Sequence, residues 1–97
     1  MIIVSDTSPL SGLAITGHLF LLKKIYGQVV IPIAVADELR RGGQDDTRIN
    51  EVLALNWIEV RKATNQSLVE SLRADRNLDW GEAEAIALVW QMEGDRE

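Results

Sequence analysis

The sequence predicts an α/β fold built around a parallel sheet. Short apolar runs recur along the chain, at Ile2-Ile3-Val4, at Val29-Val30-Ile31 and, more weakly, over Trp57–Val60. Each is followed by a stretch whose apolar residues return at helical spacing. Strands that alternate with helices make βαβ units, and such units stack into a parallel sheet with helical layers. In these sheets ligands bind off the carboxyl ends of the strands. Asp6 stands at that end of the first run.

Met1–Ser5 reads as a short, buried strand. Ser8 is a candidate N-cap with Pro9 at the first helical position, where a missing N–H costs nothing. A helical or turn-rich stretch follows to about Ala14. Thr16 is a second candidate cap, opening a helix over about 17–26 on Leu19, Leu22 and Tyr26, and Gly27 ends it. Gln28–Ile31 is the second strand, closed by Pro32, which keeps Ile31 extended. Ile33–Arg41 is a short helix with Val35 and Leu39 on one face and Arg40 and Arg41 at the negative end of its dipole. Asp45 or Asp46 opens the next helix, which carries Ile49, Val52, Leu53 and Leu55. After the third strand, Gln66–Ala74 is helical, and Asp79 begins a long helix to about Met92.

The bulk numbers narrow the function. At 97 residues and 46% hydrophobic content the chain suits one domain with a thin core. No run of 18 apolar residues occurs, which excludes a membrane span, and the N-terminus lacks the pattern of a secretory signal. Without cysteine there is neither a disulfide nor a thiolate metal site, in keeping with the cytoplasm. A net charge of −5 argues against holding nucleic acid mainly by phosphate neutralisation. It leaves open a nuclease whose carboxylates gather a divalent cation that then meets the phosphate.

Three acids stand at the ends of elements. Asp6 follows the first strand, where it is either an acidic turn residue or a ligand. Glu38 lies about two helical turns beyond the second strand, either solvated or facing back toward the strand ends. Glu82 lies in "LDWGEAEAIALVW", three residues after Asp79, in a D-x-x-E pattern close to a capping box. Capping alone accounts for Asp79 and Glu82, and a glutamate in a first turn is equally able to face a shared site. Glu84 faces away from Glu82 and reads as solvent-facing or a minor participant. If the three converge, hard oxygen ligands suit Mg²⁺ or Mn²⁺. His18 is the only histidine, so a histidine-based triad or zinc site has little to draw on.

Three segments together resemble the PIN-domain family, and within it the VapC-like branch. They are "IIVSDTSPLSGLA", "VVIPIAVADEL" and "LDWGEAEAIALVW", in the family's order and over nearly the whole chain. The resemblance implies a three-layer PIN-like α/β fold over residues 1–97, its parallel sheet flanked by helices. It implies a Mg²⁺- or Mn²⁺-dependent endoribonuclease acting on single-stranded or structured RNA, often the toxin of a toxin–antitoxin pair with an antitoxin protein as partner. Carried over by position, Asp6, Glu38 and Glu82 are the metal-binding and catalytic acids, with Thr7 or Ser8 supporting the first motif. The family continues with a further strand ending in another acid, whereas this chain closes on "MEGDRE". The expectation is therefore a fold lacking the C-terminal strand, with the first strand's edge unpaired and the last helix partly uncovered. Such a chain pairs with itself as a homodimer or higher oligomer. The alternative function is a catalytically impaired remnant that serves as an oligomerising or partner-binding module.

Overall fold

The computed structural model describes residues 1–43 and 46–95. Asp45, one of the two candidate helix openers, lies outside them, as does the side chain of Asp95. The elements run β1 (Ile2–Ile3), α1 (Thr7–Thr16), α2 (Phe20–Tyr26), β2 (Val29–Pro32), α3 (Ile33–Gly42), α4 (Thr47–Asn50), a 3₁₀ turn at Glu51–Ala54, β3 (Ile58–Arg61), α5 (Gln66–Asp75) and α6 (Trp80–Asp95). The strands form one parallel sheet in the order β1-β2-β3, with Ile2 opposite Val29 and Val29 opposite Ile58. This is the expected α/β architecture.

Side-chain alternation sorts the layers. Ile2 and Val4 pack into a core with Val29, Ile31, Ile58 and Val60 of the sheet and with Leu10, Val35, Leu39 and Ile49 of the helices. Ile3 points the other way, into a second core built on Val69, Ala83, Ala87 and Leu88. Sequential strand order with right-handed crossovers keeps the connecting helices α1 to α4 on one face. The helices that follow β3 cover the opposite face, which completes three layers.

Several boundaries move for physical reasons. The first helix starts at Thr7, capped by Asp6, whose Oδ1 accepts from the Ser8 N–H at 3.2 Å. Ser8 is thus inside the helix and not its cap. Pro9 sits in the first turn, whose N–H groups have no intrahelical partner, so the ring is tolerated there. Thr16 ends α1 and its hydroxyl donates back to the Gly12 carbonyl at 2.9 Å, and Gly17 closes the helix at φ 76°. The fourth helix is capped by Asp46, which also pairs with Arg48 at 2.9 Å. That side-chain hydrogen bond from Arg48 holds the Asp46 carboxyl below its ordinary range and raises the arginine in turn.

One expectation is overturned outright. Glu84 is not solvent-facing but fully buried. Its Oε1 accepts the Ala34 N–H at 2.9 Å and its Oε2 accepts the Ala63 N–H at 3.2 Å. Ala34 lies in the first turn of α3, so the carboxylate also meets the positive end of that helix dipole. Ala63 follows β3. One side chain therefore joins α6 to the carboxyl ends of β2 and β3. Deleting this side chain leaves two buried backbone N–H groups without an acceptor, at a cost of about 1–3 kcal/mol each. Folded domains of this size are stable by only about 5–15 kcal/mol. Glu84→Ala is expected to lose a large part of the stability in chemical denaturation, whereas Glu70→Ala, on the exposed face of α5, is expected to stay within about 0.5 kcal/mol of the parent.

Candidate acidic site at the carboxyl edge of the sheet

The carboxyl edge is assembled from the starts of α1 and α6 and the second turn of α3. At the end of β1 the chain turns into α1, and the capping bond fixes the Asp6 carboxylate against the Ser8 N–H. The next residue reaches across to α3, where the Thr7 hydroxyl donates to Glu38 Oε1 at 3.2 Å. Thr7 and Glu38 are 31 positions apart in sequence, so this bond is a direct tie between the first and second acidic segments. Glu38 lies one turn after Ala34, on the side of α3 that Ala34 shares.

The third acid arrives with α6. Asp79 caps this helix, its Oδ1 accepting the Glu82 N–H at 2.8 Å and its carbonyl accepting the Ala83 N–H at 3.0 Å. The capping reading of Asp79 is therefore correct. Between them sits Gly81, buried against the end of β1 and the flank of α3. A Cβ placed there would stand 3.0 Å from the Ser5 carbonyl oxygen and 3.1 Å from Val35 Cγ2. Glycine is what lets the first turn of α6 approach the strand end next to Asp6 so closely.

Asp6, Glu38 and Glu82 are all exposed at this edge. Glu82 also borders a cavity of about 250 Å³ lined by Ile3, Ser5, Ala85, Ile86 and Val89, on the open side of β1. As the side chains stand, no group of three or more His, Cys, Asp or Glu among the described residues is arranged to hold a metal ion. The donor set nevertheless fits a hard divalent cation chemically, since it offers carboxylate oxygens and no nitrogen or sulfur ligand. Asp37, next to Glu38, is paired with Arg40 at 2.9 Å, which leaves it turned toward its own helix surface.

The molecule is thus a three-layer α/β domain with exposed acidic side chains on the elements that meet at the carboxyl edge of a parallel sheet. The family model of the PIN domain matches residues 2–96, and the chain belongs to that family. Its fold is accordingly of nuclease type, in a family whose members generally use divalent metal ions and act on nucleic acid. No curated protein and no solved structure matches the chain. No helix among the described residues is long and apolar enough to cross a membrane.

Two residues of this edge escaped the sequence reading. Glu84 carried a signal in its spacing, four residues before the buried Leu88 and therefore on the same helix face. Gly81 carried one in its position, since a glycine inside a first turn serves close packing when it does not serve a cap. Overpacking of a tight contact costs about 1–3 kcal/mol, against a helix-propensity gain of about 1 kcal/mol for glycine to alanine. Gly81→Ala is therefore expected to lower stability by about 1 kcal/mol in urea unfolding, because the closest neighbour is backbone and yields little.

Proposed function

We propose that the protein is a Mg²⁺- or Mn²⁺-dependent ribonuclease of the VapC-like kind, with Asp6, Glu38 and Glu82 as its metal-binding and catalytic acids. The Thr7–Glu38 bond carries this reading, because it ties the turn that holds Asp6 to the helix that holds Glu38. Family membership supports the nuclease chemistry. A bound divalent cation supplies an activated water and stabilises charge on a transferring phosphoryl group. The protein's own residues prepare for it. The Ser8 N–H orients the Asp6 carboxylate, and the Thr7 hydroxyl occupies Oε1 of Glu38 and leaves Oε2 for a ligand. Glu82, at the start of α6, brings its charge to the same edge. With a net charge of −5 the chain gains little from phosphate neutralisation, so a cation is the natural bridge to an RNA backbone.

The substrate in this reading is single-stranded or structured RNA. The setting is cytoplasmic, and the biological role is that of a toxin restrained by an antitoxin protein. Losing a metal ligand removes several kcal/mol of transition-state stabilisation, which is on the order of 10³-fold in rate. In a cleavage assay on fluorescent single-stranded RNA, activity is expected with Mn²⁺ or Mg²⁺ and is expected to vanish with chelator. Asp6→Asn and Glu82→Gln are each expected to slow cleavage by about that factor. Cleavage that persists in chelator, or that ignores both substitutions, contradicts the proposal.

A second reading, an oligomerising or partner-binding module with impaired catalysis, is favoured by a different observation. The strand β1 is at the edge of the sheet, and α6 exposes Ile86 at 37% and Val89 at 45% beside it. On this helix Ala83, Ala87 and Leu88 face the core while Ile86, Val89 and Trp90 face out. Open strand edges are templates for pairing. A second copy meeting this edge across a two-fold axis covers both features at once. Sedimentation at low micromolar concentration is expected to give a dimer or higher oligomer that Val89→Asp dissociates, and a folded monomer of the unaltered chain counts against self-association.

A further inference from the structure

Glu84 is the one fully buried acid among the described residues, and the proposed chemistry does not use it. Its hydrogen-bond partners are not in its own helix. The Ala34 N–H is 50 positions away, at the start of α3, and the Ala63 N–H is 21 positions away, after β3. A carboxylate that accepts from two backbone donors in a buried setting makes directional hydrogen bonds, here at 2.9 and 3.2 Å. It therefore constrains where α6 sits relative to α3 more tightly than apolar packing does, since apolar contact is non-directional.

The two helices so joined are those that carry Glu38 and Glu82. Glu38 is one turn beyond the Ala34 donor, and Glu82 is two residues before the Glu84 acceptor. The contact of Gly81 with Val35 lies between them, and a Cβ on Gly81 would stand 3.1 Å from Val35 Cγ2. We propose that Glu84 is a positioning residue for the acidic site, its clamp on the Ala34 and Ala63 N–H groups setting the spacing between Glu38 on α3 and Glu82 on α6. The inference rests on the cation-binding reading of those two acids. It assigns Glu84 no contact with the cation.

Two measurements test it separately from that reading. The first is Mn²⁺ affinity, followed by the loss of the free-ion signal in electron paramagnetic resonance, at a temperature where circular dichroism shows the variant folded. The second needs no metal and is the nuclear Overhauser contact between the Val35 methyl protons and the Gly81 Hα. Glu84→Gln keeps the shape of the side chain but presents an amide N–H₂ to one of two N–H donors, so one clamp bond is lost. The folded variant is expected to bind Mn²⁺ at least about tenfold more weakly, the usual scale for a group that supports metal ligands from behind. It is also expected to lose or weaken the Val35–Gly81 contact. Glu38→Gln and Glu82→Gln are expected to weaken Mn²⁺ binding and keep that contact. A folded Glu84→Gln with parental Mn²⁺ affinity overturns the proposal. If the parent protein binds no Mn²⁺, the cation reading fails, and the Val35–Gly81 contact alone decides on Glu84: its loss supports the positioning role and its retention overturns it. If Glu84→Gln does not fold, Glu84→Asp, which draws the carboxylate back by one methylene, takes its place with the same expectations. Failure of both to fold makes Glu84 a determinant of folding and not of spacing, and overturns the proposal.

Discussion

A buried carboxylate demands donors, and this demand organises the protein. An unpaired charge in the interior is prohibitive, so Glu84 is compatible with burial only where α6 lies within reach of the Ala34 and Ala63 N–H groups. Those donors are at the carboxyl ends of β2 and β3, next to the first turn of α3. The clamp therefore fixes the last helix against two strands and one helix through a single side chain. It also fills the helix N-terminus that α/β folds commonly offer to an anionic ligand. At α3 that place is taken by the protein's own carboxylate, and the proposed site is at the neighbouring edge at β1.

That edge follows from topology and close packing together. Parallel strands in sequential order put every crossover helix on one face and every strand end on one side. Asp6 caps the helix that leaves β1, Glu38 lies on the helix that leaves β2, and α6 returns across the other face to bring Glu82 beside β1. Gly81 allows the return, because any side chain there would press on the Ser5 carbonyl and Val35. At Asp6 capping thus fixes the carboxylate that the proposed site uses. The bond that closes the helix end also holds the carboxylate at the strand terminus.

Much of this was legible in the sequence. The apolar runs located the strands to within a few residues, and the Asp79–Glu82 pattern located the start of α6, because both signals are local. The resemblance of three ordered segments gave the family. What remained hidden was long-range or depended on a choice between neighbours. Asp6 and Ser8 are both good caps two residues apart, and Pro9 is tolerated anywhere in a first turn, so local chemistry could not choose between them. Thr7 and Glu38 meet only after the sheet forms. Glu84 reads as a surface acid because acids in helices are ordinarily solvated, and its partners are N–H groups, which every residue except proline carries and no motif advertises. The helix α6, with Ala83, Ala87 and Leu88 inside and Val89 and Trp90 outside, was visible as apolar on all sides. Which of those residues faced the core was decided by how α6 docks on α5, α3 and β2, which the periodicity of the helix alone does not specify.

Whether Asp6, Glu38 and Glu82 share a divalent cation, with Glu84 behind them, is decided by a crystal of the protein soaked in Mn²⁺ and diffraction recorded at the manganese absorption edge. The expected result is an anomalous peak coordinated by the three carboxylates, with Glu84 still bonded to the Ala34 and Ala63 N–H groups. A peak held by other residues, no peak at this edge, or Glu84 turned out of its clamp to bind the metal would contradict it.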